Sequence, residues 1–296
     1  MSLLNDFRLS VLEGNLSVYG IYVYQDGEIL AAHRFRSDDR ENLYSASKTF
    51  AAVGVGIAEE EGRFRLSDYV LDFFPELKDL AQPGSEKITV EHLLQMSSGH
   101  MFEDFELYRS KELAELFFST EMKAEAGSGF YYENLCTYML GRVVEKVSGQ
   151  TMREYLMPRL FDKLEIWNPQ WSNCPQGHTF CASGLYLTTE ELSRLGIMLL
   201  QSGVYKDQQI VSADYVRRMH GKWADTSSNL DPENNGGYGY QVWKCTPPNT
   251  YRADGMYGQL SVVLEDYQAV ITATSHNEHN HMNILRAMWN DILPKL

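Results

Sequence analysis

The chain has 296 residues, 44% of them apolar, 12% aromatic and 22% charged, which suits one large two-lobed domain or two domains with a sizeable core. Its net charge of −14, with no basic stripe, excludes nucleic-acid binding, which needs cations to displace counterions. No stretch is apolar enough to span a bilayer, and MSLLNDFRLSVLEGN lacks the basic and apolar regions of a secretory leader, so no membrane association and a cytoplasmic location are expected.

In chain order, residues 2–13 read as a short amphipathic helix. SVYGIYVYQDGEILAAHRF (17–35) reads as two strands around Asp26–Gly27, a pair suited to a tight hairpin because both turn residues need positive φ. Residues 44–60 read as a helix with Phe50, Val53 and Ile57 at helical spacing, and small residues beside them allow close packing. The spacing predicts further helices over 88–100, capped by Thr89, over 135–149, closed by Gly149, and over 188–203, capped by Thr188 or Thr189. Strands follow over 234–245, 256–265 and 267–275, then a closing helix over 282–293. The early hairpin and late strands fit one antiparallel sheet flanked by the terminal helices, with the helical middle as a second lobe. The four cysteines match no zinc spacing. Cys136 reads as buried, a Cys174–Cys181 disulfide is compatible with the spacing, and reduced thiols are the default.

Three short stretches carry chemistry. In LYSASKTF, Ser45 and Lys48 lie three apart at a helix start and so share one face. A serine hydroxyl needs a neighbour to take its proton, a neutral lysine can do so, and the helix N-terminus favours developing negative charge. Alone the pattern is weak, since about one Ser-x-x-Lys is expected by chance in such a chain, and a capping serine beside a surface lysine is the plain alternative. In GSGFYYENL, Tyr132 and Asn134 fall on one side of an extended segment. A phenol near a cation can lose its proton below its ordinary pKa and act as a base, and an asparagine can donate to a carbonyl. The plain alternative makes Asn134 a helix cap. In YRADGMYGQLSVV, Gly255 and Gly258 mark a turn or a close approach, and a backbone N–H there could complete an oxyanion hole with that of Ser45.

Together, Ser45-x-x-Lys48, Tyr132-x-Asn134 and a late glycine-bearing strand resemble the penicillin-recognising serine hydrolases, the serine β-lactamase and penicillin-binding-protein-like family. The nearest pattern is the branch of class C β-lactamases, D-alanyl-D-alanine carboxypeptidases and related esterases. EEGRFRLSDYVLDFFPEL with ITVEHLLQMSSGH, FYYENLCTYMLGRVVEKVSGQTMREYL and CASGLYLTTEELSRLGIMLLQSG extend the likeness from about 40 to 275. The resemblance implies an α+β fold, an antiparallel sheet flanked by helices with a mostly helical second lobe. Residues 1–62 and 182–296 would form the sheet lobe and 63–181 the helical lobe, with the active site between them. It implies that Ser45 forms an acyl-enzyme, that Lys48 and Tyr132 share the proton work, and that Asn134 orients the substrate. No cofactor is implied. The partner implied is a small acyl substrate, an ester, amide or lactam.

The third motif departs from the family. Neither Lys-Thr-Gly nor His-x-Gly occurs, and alignment through the glycines puts Ala253-Asp254-Gly255 there. Ala253 cannot hold a substrate carboxylate, Asp254 would add negative charge to the substrate side if it faces the cleft, and Arg252 would point the opposite way from Ala253. Gly255, Met256 and Gly258 remain for an oxyanion hole through the Met256 N–H. An esterase or amidase is therefore expected ahead of a β-lactamase or D-Ala-D-Ala peptidase, with a catalytically silent binding domain as the reading from another class. His276, Glu278, His279 and His281 are dense enough to raise metal binding, but a polar surface turn explains them and no metal ligand is assigned.

Overall fold

The computed structural model describes residues 3–102, 107 and 109–296. Its centre is a six-stranded, wholly antiparallel sheet with the spatial order Glu28–Arg34, Val18–Gln25, Ala269–Ser275, Gln259–Leu264, Thr250–Gly255 and Trp243–Lys244. The first hairpin turns at Asp26 (φ +50°) and Gly27 (φ +92°), the positive-φ pair that a two-residue hairpin loop demands. Val23 pairs with Ile271, so the first and last strands of the chain lie side by side.

One face of the sheet is covered by the terminal helices. Phe7 and Val11 of the helix Asn5–Glu13, and Ile284, Leu285, Met288 and Ile292 near the C-terminus, pack on Ile21, Val23, Val262 and Ile271. The expected helix start at Ser2 lies outside the described residues. The other face belongs to a larger core, in which Tyr251, Ala253, Val263 and Val270 meet the helix Thr189–Leu200 and, beyond it, the helices Ser47–Glu60 and Asn134–Ser148. Each fully buried Leu, Val or Phe of these layers contributes about 1.5–3 kcal/mol relative to exposure.

The helix Ser47–Glu60 is buried from Ser47 through Ala58, all the way round. Small residues at its closest contacts allow this: a Cβ on Gly56 would stand 2.4 Å from the Tyr215 ring. Thr188 caps the helix Thr189–Leu200 in a reciprocal pair with Glu191, and Gly149 (φ +73°) closes Asn134–Ser148.

Three expectations change. The helix from 88 stops at Leu94, because Met96 turns left-handed at φ +54°. The stretch 234–245 is a strand only at Trp243–Lys244, whereas Thr250–Gly255 is one. The strand expected from 256 starts at Gln259, because Tyr257 (φ +67°) and Gly258 (φ +95°) make the preceding hairpin loop. All four cysteines are free and buried, so Cys174 and Cys181 do not form the disulfide their spacing allowed.

Candidate active site

The turn that presents Ser45 is held from a distance. Asn42 Oδ1 accepts the N–H groups of Tyr44 (2.9 Å) and Gly184 (3.1 Å), and Tyr44 adopts φ +46°, uncommon for a bulky side chain. This reversal leads through the short turn Tyr44–Ala46 into the helix that begins at Ser47, and places Lys48 one turn beyond Ser45.

Lys48 is 1% exposed. Its Nζ donates to Ser45 Oγ at 2.8 Å, to Asn134 Oδ1 at 2.8 Å and to the Ala182 carbonyl at 2.9 Å. Three acceptors match the three N–H bonds of an ammonium group. The same nitrogen lies 5.0 Å from the centre of the Tyr132 ring. The helix Asn134–Ser148 begins at Asn134 without a side-chain cap, so its amide serves Lys48 and not the helix end.

Tyr132 stands in a wall of rings, stacked on Trp243 at 5.7 Å and edge-on to Tyr238 at 5.8 Å, with Phe130 behind. Although 38% of Tyr132 remains exposed, the enclosure of its hydroxyl end beside Ser45 raises its phenol well above the ordinary value, and the Asp254 charge adds to the rise. Hydrogen bonding to Ser45 and the Arg252 charge oppose it. The direction is the reverse of that expected from a nearby cation alone, so the resting Tyr132 is a neutral phenol.

Gly255 ends its strand directly against the Ser45 turn. A Cβ there would lie 2.1 Å from the Leu43 carbonyl oxygen and 3.1 Å from the Ala46 nitrogen, so no other residue fits. The loop Met256–Gly258 follows, and Gln259 and Ser275 hold it. Gln259 Nε2 donates to the Met256 and Ser275 carbonyls, and Ser275 Oγ donates to the Gly258 carbonyl at 3.1 Å. Met256 is about half exposed.

Asp254 is not brought to this cluster. Opposite Leu260 in the sheet, it faces the terminal-helix layer. Its Oδ2 accepts from Arg252 Nε at 2.7 Å, and His281 stands 3.7 Å from Oδ1. Burial works against ionisation, yet Arg252 and His281 hold the carboxyl below its ordinary range. The remaining Arg252 donors reach the Glu233 carbonyl (2.8 Å) and Asn234 Oδ1 (2.6 Å), so this fully buried cation does not stand in for the missing one. Ala253 packs in the opposite layer, as strand alternation requires. His276 stacks on Tyr257, and His276 and His281 face different acids. No group of three His, Cys, Asp or Glu residues fit to hold a metal occurs among the described residues.

Sequence reasoning missed two parts of the cluster. The Ala182 carbonyl is backbone and has no residue-type signal; only the stretch CASGL hinted at it. The wall of Phe130, Tyr238 and Trp243 comes from segments that meet only in the fold.

A family model described as Beta-lactamase matches residues 13–290. The chain belongs to the beta-lactamase family. This family member is 28% identical over 214 residues to a 6-aminohexanoate-dimer hydrolase of Paenarthrobacter ureafaciens, covering 66% of this chain and 55% of that protein. The chain thus spans about half the length of that curated relative. It superposes on an octameric penicillin-binding protein homologue from Pyrococcus abyssi with a TM-score of 0.77 at 20% identity, covering 99% of this chain and 77% of the other. For a family VIII carboxylesterase the TM-score is 0.73 at 15% identity, with 97% and 96% covered. These superpositions show the shared fold, and the family places the chain in a superfamily of serine hydrolases.

Proposed function

We propose that this family member hydrolyses small esters or amides through an acyl-enzyme on Ser45. The observation that carries the reading is the buried Lys48 Nζ, held at 2.8 Å from both Ser45 Oγ and Asn134 Oδ1. Ser45 Oγ attacks the substrate carbonyl carbon while its proton passes to the Lys48–Tyr132 pair. Because every N–H of a charged Lys48 is directed at an acceptor, one proton must leave this pair before it can take another. The oxyanion is held by the N–H groups of Ser45 and Met256, which the close approach of Gly255 to the Leu43–Ala46 turn keeps together. The proton then goes to the departing alcohol or amine. Water attacks the acyl carbon, one of its protons passes through the Lys48–Tyr132 pair to Ser45 Oγ as the bond from that oxygen to the acyl carbon breaks, and the carboxylic acid leaves.

Substrates without a carboxylate beside the scissile bond fit this site best. Ala253 offers no cation, and the donors of Arg252 are taken by Asp254, Glu233 and Asn234. Two proteins it resembles are named as a 6-aminohexanoate-dimer hydrolase and a carboxylesterase, names that fit amide or ester bonds. The test is p-nitrophenyl acetate against a chromogenic cephalosporin, with intact-protein mass spectrometry and Ser45→Ala as control. Ester turnover with an acyl adduct absent from Ser45→Ala is expected, with slow cephalosporin turnover. Cephalosporin hydrolysis matching the ester rate would reverse the ranking. No adduct with any ester, amide or fluorophosphonate would leave a binding domain.

A further inference from the structure

A left-handed backbone conformation usually falls to glycine, yet Gln241 sits at φ +58° while 2% exposed. Its polar groups are all engaged. Oε1 accepts from the Thr137 hydroxyl at 2.6 Å, and Nε2 donates to the carbonyls of Leu94 (2.8 Å) and Leu93 (3.2 Å). The backbone carbonyl accepts from the Thr49 hydroxyl at 2.7 Å, and the backbone N–H donates to the Gly239 carbonyl at 3.0 Å.

The partners of its backbone carbonyl and of its side chain adjoin different parts of the site. Thr49 follows Lys48 directly. Thr137 lies three residues after Asn134, on the same helix face. Leu94 leads to Met96, whose carbonyl takes the Tyr131 N–H at 2.8 Å and whose sulfur takes the Glu133 N–H at 3.4 Å, bracketing Tyr132 on both sides. Two residues beyond Gln241, Trp243 stacks on the Tyr132 ring.

We propose that Gln241 is a positioning residue that fixes the triangle of Lys48, Asn134 and Tyr132 by tying together the three elements that carry them. A glycine would keep the backbone turn but leave the Thr137 hydroxyl and the Leu93 carbonyl buried without this partner. The inference rests on the reading of these residues as the machinery that acylates Ser45, and it concerns their spacing, not their identity.

Gln241→Gly removes the side chain without backbone strain. Gln241→Glu keeps the shape but cannot donate to Leu93 and Leu94. Turnover of p-nitrophenyl acetate is measured per active site titrated with a fluorophosphonate. Expected is a fall in kcat of about 10- to 100-fold per titrated site, the scale of second-layer and misplacement effects. KM should stay within about threefold, the acid limb of the pH profile should move, and Gln241→Glu should not rescue. A purely structural role predicts fewer titratable sites, each with wild-type kcat and pH profile, and that result overturns the proposal. Should both variants fail to fold, Thr49→Val and Thr137→Val each cut one arm. Expected is a smaller kcat loss in each, and wild-type kcat in both overturns it. Should the wild type prove inert to every acyl probe, the reading of function fails separately. The Lys48 Nζ titration followed by 15N NMR then decides the positioning role: a shifted midpoint in Gln241→Gly supports it, and an unchanged one overturns it.

Discussion

Lys48 Nζ stands 2.8 Å from Ser45 Oγ, three residues before it, and 2.8 Å from Asn134 Oδ1, 86 residues after it. One buried amine thus joins a contact fixed by helix geometry to one fixed only by folding. Replacing it separates activity from stability. Lys48→Met is expected to lower kcat/KM for p-nitrophenyl acetate by about 10²- to 10⁴-fold, the contribution of a positioned proton acceptor. The unfolding midpoint should move little, because relief from burying the charge offsets the donor lost by Ser45 Oγ, Asn134 Oδ1 and the Ala182 carbonyl. Steady-state kinetics and calorimetry on the same preparation check both halves. Activity within tenfold of wild type would remove Lys48 from the chemistry.

Gly255 is the point where the strand Thr250–Gly255 meets the Ser45 turn, with 2.1 Å between a built Cβ and the Leu43 carbonyl oxygen. Gly255→Ala must push the two apart. We expect about 1–3 kcal/mol of destabilisation from overpacking, and a fall in kcat of about 10²- to 10³-fold if the Met256 N–H leaves the oxyanion position. Denaturant titration reads the first and single-turnover acylation the second. Full acylation rate in a variant destabilised as expected would place the oxyanion donors elsewhere.

His100 is fully buried against the rings of Phe102 and Phe117, and burial pushes its pKa down to about 4. Unfolding returns it to about 6.5. The unfolded chain therefore binds the extra proton first, so this contribution to stability is complete above pH 6.5 and is lost as the pH falls toward 4. The full span corresponds to about 3 kcal/mol. His100→Phe should flatten the fall of the unfolding midpoint between pH 7 and pH 4.5 relative to wild type. Parallel curves for the two proteins would show that His100 does not govern acid lability.

What the sequence determined by itself rests on short-range physics. The Asp26–Gly27 hairpin, the Thr188 and Gly149 helix ends, and the Ser45–Lys48 spacing involve residues within a few positions, where backbone sterics and helix pitch decide the outcome. The Tyr132–Asn134 pairing with Lys48 was legible because short motifs along one chain resembled a family pattern. Tertiary structure decided the rest. The chain turn at Cys181 (φ +62°) precedes the Ala182 carbonyl that Lys48 uses, and strand alternation sends Arg252 and Asp254 into the terminal-helix layer as a pair. The enclosure of its hydroxyl end raises the Tyr132 phenol where sequence suggested a lowered one. Burial, the face of a sheet and a carbonyl's direction are set by contacts between residues tens to hundreds of positions apart, which no local pattern encodes.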